Sequence, residues 1–262
     1  MNYPADFINK IICGDCLEVM KGISDKSVDL TITSPPYDNL RDYQGYAFNF
    51  EGIAKELFRI TKDGGVVVWV VGDATVNGSE TGTSFKQALY FKEIGFNLHD
   101  TMIYQKNSYP FPPSNRYFGV IEFMFVLSKG SPKTTNLIKV KTKGKKHTSS
   151  TQREKDGTIS KMEYAMGKDE RVKDNVWIYD VGFAKSSNDP LQFEHPATFP
   201  EKLASDHITS WSNKGDVILD PFNGSGTTTK MAKLLRRNFI GIEISQKYCD
   251  IANQRLRQEI LI

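Results

Sequence analysis

Residues 216–260 read DVILDPFNGSGTTTKMAKLLRRNFIGIEISQKYCDIANQRLRQEI. The apolar run Val217–Leu219 closes on Asp220, and Gly224-Ser225-Gly226 follows at once. A helical stretch begins near Thr227. A second apolar run, Asn238–Ile242, then closes on Glu243, and another helical stretch follows. Strand, glycine-rich turn, helix, strand and helix in that order make a complete βαβ unit. The glycines admit backbone angles and a close approach that side chains would block.

Two features restrict what this turn can hold. It is not G-x-x-x-x-G-K-[ST], which excludes the nucleoside-triphosphatase loop, and Thr227, Thr228 and Thr229 stand where a dinucleotide site wants a third glycine. Asp220 beside the turn disfavours a pyrophosphate and suits a cationic ligand. Glu243 stands about 20 residues on, where a strand-end acid accepts hydrogen bonds from both hydroxyls of a ribose. A sulfonium-bearing adenosyl ligand, S-adenosylmethionine, satisfies both demands. The plainer readings are a turn acid at Asp220 and a solvent-facing acid at Glu243.

Working outward, the N-terminal half repeats the alternation. FINKIICGD and VDLTITSPPY are short apolar runs, with CLEVMKGISDKS as a turn or two of helix between them. NFEGIAKELFRITKDGG has helical spacing and ends in Gly-Gly, ahead of the near-continuous β-branched run VVVWVVGD, which suits a central strand covered on both faces. SFKQALYFKEIGF predicts a helix, LHDTMIYQK and IEFMFVLSK predict strands, and VWIYDVGF resumes apolar character after the basic stretch. A further helix follows HPATFP. The fold class is α/β with a mostly parallel, partly mixed central sheet.

Between residues 129 and 175 the periodicity fades. Lys129–Lys173 holds 13 Lys and Arg against 5 Asp and Glu, whereas the whole 262-residue chain carries only +3. The expected organisation is therefore residues 1–128 as one half of a domain, 129–175 as a basic, partly mobile insertion, and 176–262 as the other half. A solvated loop is the plain reading of the insertion. A surface that releases counterions from nucleic-acid phosphates explains the asymmetry better.

Composition adds exclusions. Apolar residues at 39% and charged residues at 25% are ordinary for a globular chain, no apolar run reaches membrane-spanning length, and the N-terminus MNYPADFINK has no secretory hydrophobic segment. Cytoplasmic residence with no membrane partner is the expectation. Three cysteines are too few for a disulfide framework. Cys13 and Cys16 form a C-x-x-C without a second pair, so no metal is expected and two incidental small residues explain the spacing.

One early stretch needs its own account. Residues 30–39, LTITSPPYDN, leave an apolar run for two prolines, which have no N–H to continue a ladder. A strand-ending turn is the plain reading. The sharper one is that the prolines hold a carbonyl and two side chains against something flat and polar.

TSPPY early, DPFNGSGTT late and a basic segment between them resemble the β-class DNA amino-methyltransferases. IICGDC, HPATFPEKL and GIEISQKYCDIANQR also have counterparts there, so the likeness runs from about Ile11 to Arg255 with the basic insertion excepted. The resemblance implies a Rossmann-like methyltransferase fold, S-adenosylmethionine as cofactor, and methyl transfer to cytosine N4 or adenine N6 in double-stranded DNA. It implies that Ser34 and the Pro35 carbonyl accept hydrogen bonds from the target amine, that Pro35 and Pro36 hold them still, and that Tyr37 stacks on a flipped base. The cofactor would lie on Asp220, Pro221, Phe222, Gly224, Ser225, Gly226 and Thr227, with Glu243 on the ribose. Asp15 resembles the acid near the adenine ring. His195, Pro196 and Pro200 resemble the segment closing over the methionine moiety, although a histidine before a proline is commonly just a loop residue.

C5-methylation of cytosine needs a proline-preceded cysteine, and none of the three cysteines has one. Direct attack of the amine on the methyl group is the expected chemistry. In this family a serine at the first motif position goes more with cytosine N4 and an aspartate with adenine N6, so N4 is the expected target and N6 the alternative. Phosphate or base contacts are expected from Lys139, Lys141, Lys143, Lys145, Lys146, Arg153 and Arg171, and from Arg41 and Tyr43 in the loop after the motif. A DNA-binding protein without catalysis, or a methyltransferase of RNA or protein, would use part of the same equipment. The shortness of the insertion suits a short target site or help from a homodimer, and a cognate restriction endonuclease is compatible with the chain.

Overall fold

Apolar runs become strands of one sheet, and the amphipathic stretches between them become its covering helices. The computed structural model describes residues 1–36, 48–107, 115–142, 149–163, 169–182, 185–187, 189–195 and 198–258. In chain order these are β1 (Lys10–Cys13), α1 (Cys16–Met20), β2 (Val28–Thr33), α2 (Phe50–Ile60), β3 (Thr61–Val71), a small hairpin of β4 (Thr75–Val76) and β5 (Ser79–Glu80), and α3 (Thr83–Glu93). Next come β6 (Asn97–Lys106), β7 (Ile121–Ser128), β8 (Lys139–Lys141), β9 (Ser149–Arg153), β10 (Ile159–Glu163), β11 (Glu170–Val172) and β12 (Val176–Tyr179). A 3₁₀ turn at Pro190–Glu194 precedes α4 (Glu201–Trp211), β13 (Val217–Asp220), α5 (Thr227–Leu234), β14 (Asn238–Glu243) and α6 (Gln246–Arg257).

Among the described residues, eight strands form the main sheet in the order β1-β14-β13-β2-β3-β7-β6-β12. Only β7 runs against its neighbours; every other adjacent pair is parallel. The order reverses around β2 and β13, so loops leaving the carboxyl ends of neighbouring strands open a crevice there. Central β3 is buried from Val66 to Val71, as its β-branched run requires. Trp69 anchors that core between Phe50 and Phe91, and its indole N–H donates to Gln87 Oε1 at 2.8 Å. Among the described residues no helix is long and apolar enough to cross a membrane.

One boundary differs from the pattern reading. Helix α2 stops at Ile60, and Thr61 to Gly65 already belong to β3, with the register against β2 shifting between Val28 and Leu30. Gly64 takes φ +82° and donates to the Lys129 carbonyl at 2.6 Å. A Cβ on Gly65 would come within 2.8 Å of Thr61 and 3.0 Å of the Asp29 carbonyl. The glycine pair serves a bulge in the strand rather than a helix stop.

The chain divides into two compact units, Met1–Asn136 with Asn175–Ile262, and Leu137–Asp174. The second unit is not the plain loop its composition suggests. It holds two antiparallel ladders, β8 with β11 and β9 with β10. Their residues are mostly exposed on both faces, so no apolar alternation marks them as strands. Lys129 lies outside this unit: its ammonium donates to the Phe58 and Thr61 carbonyls and sits 4.5 Å from the centre of the Phe58 ring. Burial pushes its pKa down. Both gateposts of the unit are tied to the first unit's backbone. Asn136 donates from its main chain to the Ser210 carbonyl, and from its amide to the Thr209 and Ser212 carbonyls. Asn175 accepts from the Ile103 N–H and donates to the Thr101 carbonyl.

Candidate active site

The two proline and glycine motifs emerge from adjacent strands. Ser34, Pro35 and Pro36 follow β2, with Pro35 buried and its neighbours half-buried; the glycine loop follows β13. Glu243 ends the next strand, β14, and faces Cys13 of β1 in register, which brings Asp15 to the same edge.

Backbone pairing between β2 and β13 covers only Leu30 with Ile218 and Thr31 with Leu219. Beyond it, side chains take over. Thr33 Oγ1 donates to Asp220 Oδ1 at 2.7 Å, and Thr228 Oγ1 donates to the Ile32 carbonyl at 3.3 Å. Asp220 is 2% exposed, and the same oxygen accepts the Phe222 N–H at 3.1 Å. Burial pushes its carboxyl up to about 6, against the pull of hydrogen bonds from Thr33 and Phe222. The acid read as a cofactor contact thus turns its Oδ1 into the interior.

The loop itself is shaped by what surrounds it. Gly224 and Gly226 have φ of +49° and +85°. A Cβ on Gly226 would lie 2.9 Å from that of Ala252, so this glycine lets α5 approach α6. One on Gly224 would meet the His195 ring at 3.3 Å. That ring packs edge-on to Tyr248, with centroids 4.3 Å apart. Phe222 packs edge-on to Phe48. Pro221 is buried, as is Pro200, which caps α4.

Glu243 is held like a bracket. Oε2 accepts the Gly224 N–H at 2.8 Å and Oε1 the Ser245 N–H at 2.9 Å, while burial raises its pKa. An ionised carboxylate has about four acceptor positions, so capacity remains for a hydroxyl donor. Its fixed orientation, with close backbone approach at Gly224, fits the adenosyl cofactor. Asp15 has a local role as well: its Oδ1 caps α1 by accepting the Glu18 N–H at 3.0 Å. No disulfide joins Cys13 to Cys16. Cys13 interacts with Cys249 instead, and burial first of all raises the Cys249 thiol.

A cluster absent from the motif reading supports the loop from behind. Arg255, 1% exposed, donates from Nη1 to the Ser225 carbonyl at 2.6 Å and to Thr227 Oγ1 at 3.4 Å. Its other nitrogens reach Asp189 at 2.7 Å and Glu201 at 2.8 Å, and Lys230 bridges the same two acids at 2.8 and 3.0 Å. Ser225 Oγ donates to the Gln192 carbonyl at 3.3 Å. Burial works against the charge of Asp189, but hydrogen bonds from Lys230, Arg255 and Gln258 hold its pKa down at about 2. One signal was available in the sequence. Cys249, Ala252 and Arg255 recur every three residues on the buried stripe of α6, and an arginine on such a stripe demands partners.

Of the expected DNA-facing residues, Lys139, Lys141 and Arg153 are exposed in the Leu137–Asp174 unit. Arg171 is exposed too, but its guanidinium forms a two-pronged pair with Asp174. Tyr37, Arg41, Tyr43, Lys143, Lys145, Lys146 and Pro196 lie outside the described residues.

Known proteins are similar along most of the chain. Residues 28–254 match the family model of N6 and N4 methyltransferases described as DNA methylase. The orphan methyltransferase M.BamHII of Bacillus amyloliquefaciens is 57% identical over 247 residues, covering 92% of this chain and 93% of that protein. The type II methyltransferase M.HinfI of Haemophilus influenzae is 31% identical, over 97% of this chain and 69% of its own length. Among solved structures, TTHA0409 of Thermus thermophilus, complexed with S-adenosyl-L-methionine, superposes with a TM-score of 0.66 at 25% identity, over 95% of this chain and 93% of that one.

Proposed function

We propose that this chain, which belongs to the DNA methylase family of N6 and N4 methyltransferases, methylates the N4 amine of cytosine in a short target of double-stranded DNA. It is an S-adenosylmethionine-dependent DNA methyltransferase of the N4/N6 class. The observation that carries the finer reading is the convergence of Ser34-Pro35-Pro36 with the glycine loop at the ends of adjacent strands. When bound, the cofactor supplies a methyl group on a sulfonium, ready for direct displacement.

The chain's own residues then have defined work. Glu243, Gly224 and Phe222 hold the adenosyl end, while Ser225, Gly226 and Thr227 shape the turn beside it. His195, Pro196 and Pro200 border the methionine end, and Asp15 stands near the adenine. The target amine is a poor nucleophile, because its lone pair is delocalised into the ring. Ser34 Oγ and the Pro35 carbonyl accept its N–H bonds and so favour tetrahedral character at nitrogen, with Pro36 stiffening the turn. Tyr37 stacks on the base once it has left the duplex. The amine's proton leaves to water. Lys139, Lys141, Lys143, Lys145, Lys146 and Arg153 contact phosphates, joined by Arg41 and Tyr43 after the motif; Arg171 joins them only by leaving Asp174. Work of this kind is done in the cytoplasm, where a cognate endonuclease or a second copy of the chain are compatible partners.

Serine at position 34 favours cytosine because, in the family, serine at this motif position goes more with N4-cytosine enzymes; the alternative is the same chemistry at adenine N6. The test is methylation of unmethylated mixed-sequence DNA with labelled S-adenosylmethionine, then digestion and mass spectrometry of the nucleosides. N4-methylcytosine is the expected product. N6-methyladenine would overturn the choice of base while keeping the chemistry, and no modified base at all would overturn the chemistry.

A further inference from the structure

The two halves of the reaction site are carried by strands whose backbones part company before the site is reached. The paired register of β2 and β13 runs no further than Thr31 with Leu219. The connection passes to two side chains, Thr33 on Asp220 and Thr228 on the Ile32 carbonyl. Thr33 and Thr228 are 0% exposed and Asp220 is 2% exposed, so bulk water has no access to replace either bond.

The chemistry of this joint is specific. A threonine hydroxyl has one proton to give, and here it goes to Asp220 Oδ1, the atom that also fixes the Phe222 N–H. Thr33 is bonded directly to Ser34, and Phe222 stands two residues before Gly224. One carboxylate oxygen therefore touches the first link of each loop.

We propose that Thr33 is a positioning residue, whose hydroxyl, through Asp220, sets the separation and angle between the Ser34–Pro36 loop and the Phe222–Gly226 loop. This rests on the reading of those loops as acceptor and donor sides of methyl transfer. Asp220 then acts as the joint between them and makes no cofactor contact of its own. The adenosyl end keeps its Glu243 and Gly224 contacts when the joint is broken, so cofactor binding is spared. In-line transfer is not, because a displacement near 1 Å between reacting groups lowers a rate about 100-fold.

The experiment uses the full chain with Thr33→Val, which keeps the shape and removes the hydroxyl, and Thr33→Ser, which keeps the hydroxyl. Single-turnover methylation of unmethylated plasmid duplex is measured at saturating S-adenosylmethionine, and the cofactor Kd is measured by calorimetry. Expected for T33V is a rate about 10- to 100-fold lower with Kd within about threefold of wild type; T33S should recover the rate to within about threefold. Equal rates for wild type and T33V would overturn the proposal. So would equal losses in T33V and T33S, or a loss confined to the cofactor Kd. Should T33V not fold, Thr228→Val breaks the second bridge and is read in the same way. If the wild type itself methylates no exocyclic amine, the reading of the loops fails, and that outcome is distinct from a fully active T33V.

Discussion

Asp189 and Asp220 are both buried beside the glycine loop, at 7% and 2% exposure, yet they sit in opposite company. Asp189 faces the guanidinium of Arg255 and the ammonium of Lys230. Asp220 has hydroxyls and a backbone N–H for neighbours, and Glu243 as its nearby charge. The first is held ionised, near 2; the second is pushed up to about 6. Burial alone therefore says little about an acid's charge, which is decided by who supplies the hydrogen bonds. The back of the loop is an ionic brace and its front a hinge held by a hydroxyl and a backbone N–H.

The contrast can be broken most forcefully at the brace. Arg255→Met removes one of the two cations and leaves Asp189 and Glu201 to Lys230 alone, and should lower unfolding free energy in urea by about 3–5 kcal/mol. Stability unchanged by R255M would mean that the cluster is not a unit. Asp189→Asn is the milder cut, expected to lose about 2 kcal/mol at neutral pH. Because the folded pKa of Asp189 lies below its ordinary 3.8, its contribution is present above that value and fades as pH falls toward 2. D189N should accordingly flatten the acid limb of a stability-against-pH curve.

At the front the sign reverses. The folded pKa of Asp220 lies above 3.8, so the native state holds the proton more tightly than the unfolded chain does. Its contribution is fullest below 3.8 and is lost as pH rises through about 6. Asp220→Asn keeps an acceptor for Thr33 but loses the charge. It should leave the protein about 1 kcal/mol more stable than wild type at pH 8, the gain being trimmed by a buried amide. A D220N variant that is destabilised at pH 8 and unchanged at pH 4 would show that Asp220 belongs with Asp189 after all.

These differences bear on how much of the molecule a reader of the sequence can see. The βαβ unit and its glycine turn are legible because each signal is local: positive φ at Gly224 and Gly226, an apolar run on either side, an acid at each strand end. The company of Asp220 is not legible, since Thr33 lies 187 residues away in the chain. Asp189, Glu201, Lys230 and Arg255 meet from four separate segments, with only the misplaced arginine on α6 as a hint. Gly64-Gly65 reads equally well as a helix stop or a strand bulge, and a distant carbonyl at Lys129 decides between them. The ladders of the basic unit escape notice because strands exposed on both faces have no alternation to display.

The asparagine gateposts at 136 and 175 have an evolutionary meaning. The chain leaves the sheet-bearing unit and returns to it at two points, each pinned by main-chain and amide hydrogen bonds. Among the described residues, what lies between them adds no strand to the eight-stranded sheet. A segment moored in this way is interchangeable cargo. Its length, charge and surface can drift, or be exchanged with that of a relative, while the sheet and both loops stay as they are. On the proposed reading of this segment as the DNA contact, new target preferences arise by trading one short stretch of chain, with the methyl-transfer apparatus inherited unaltered.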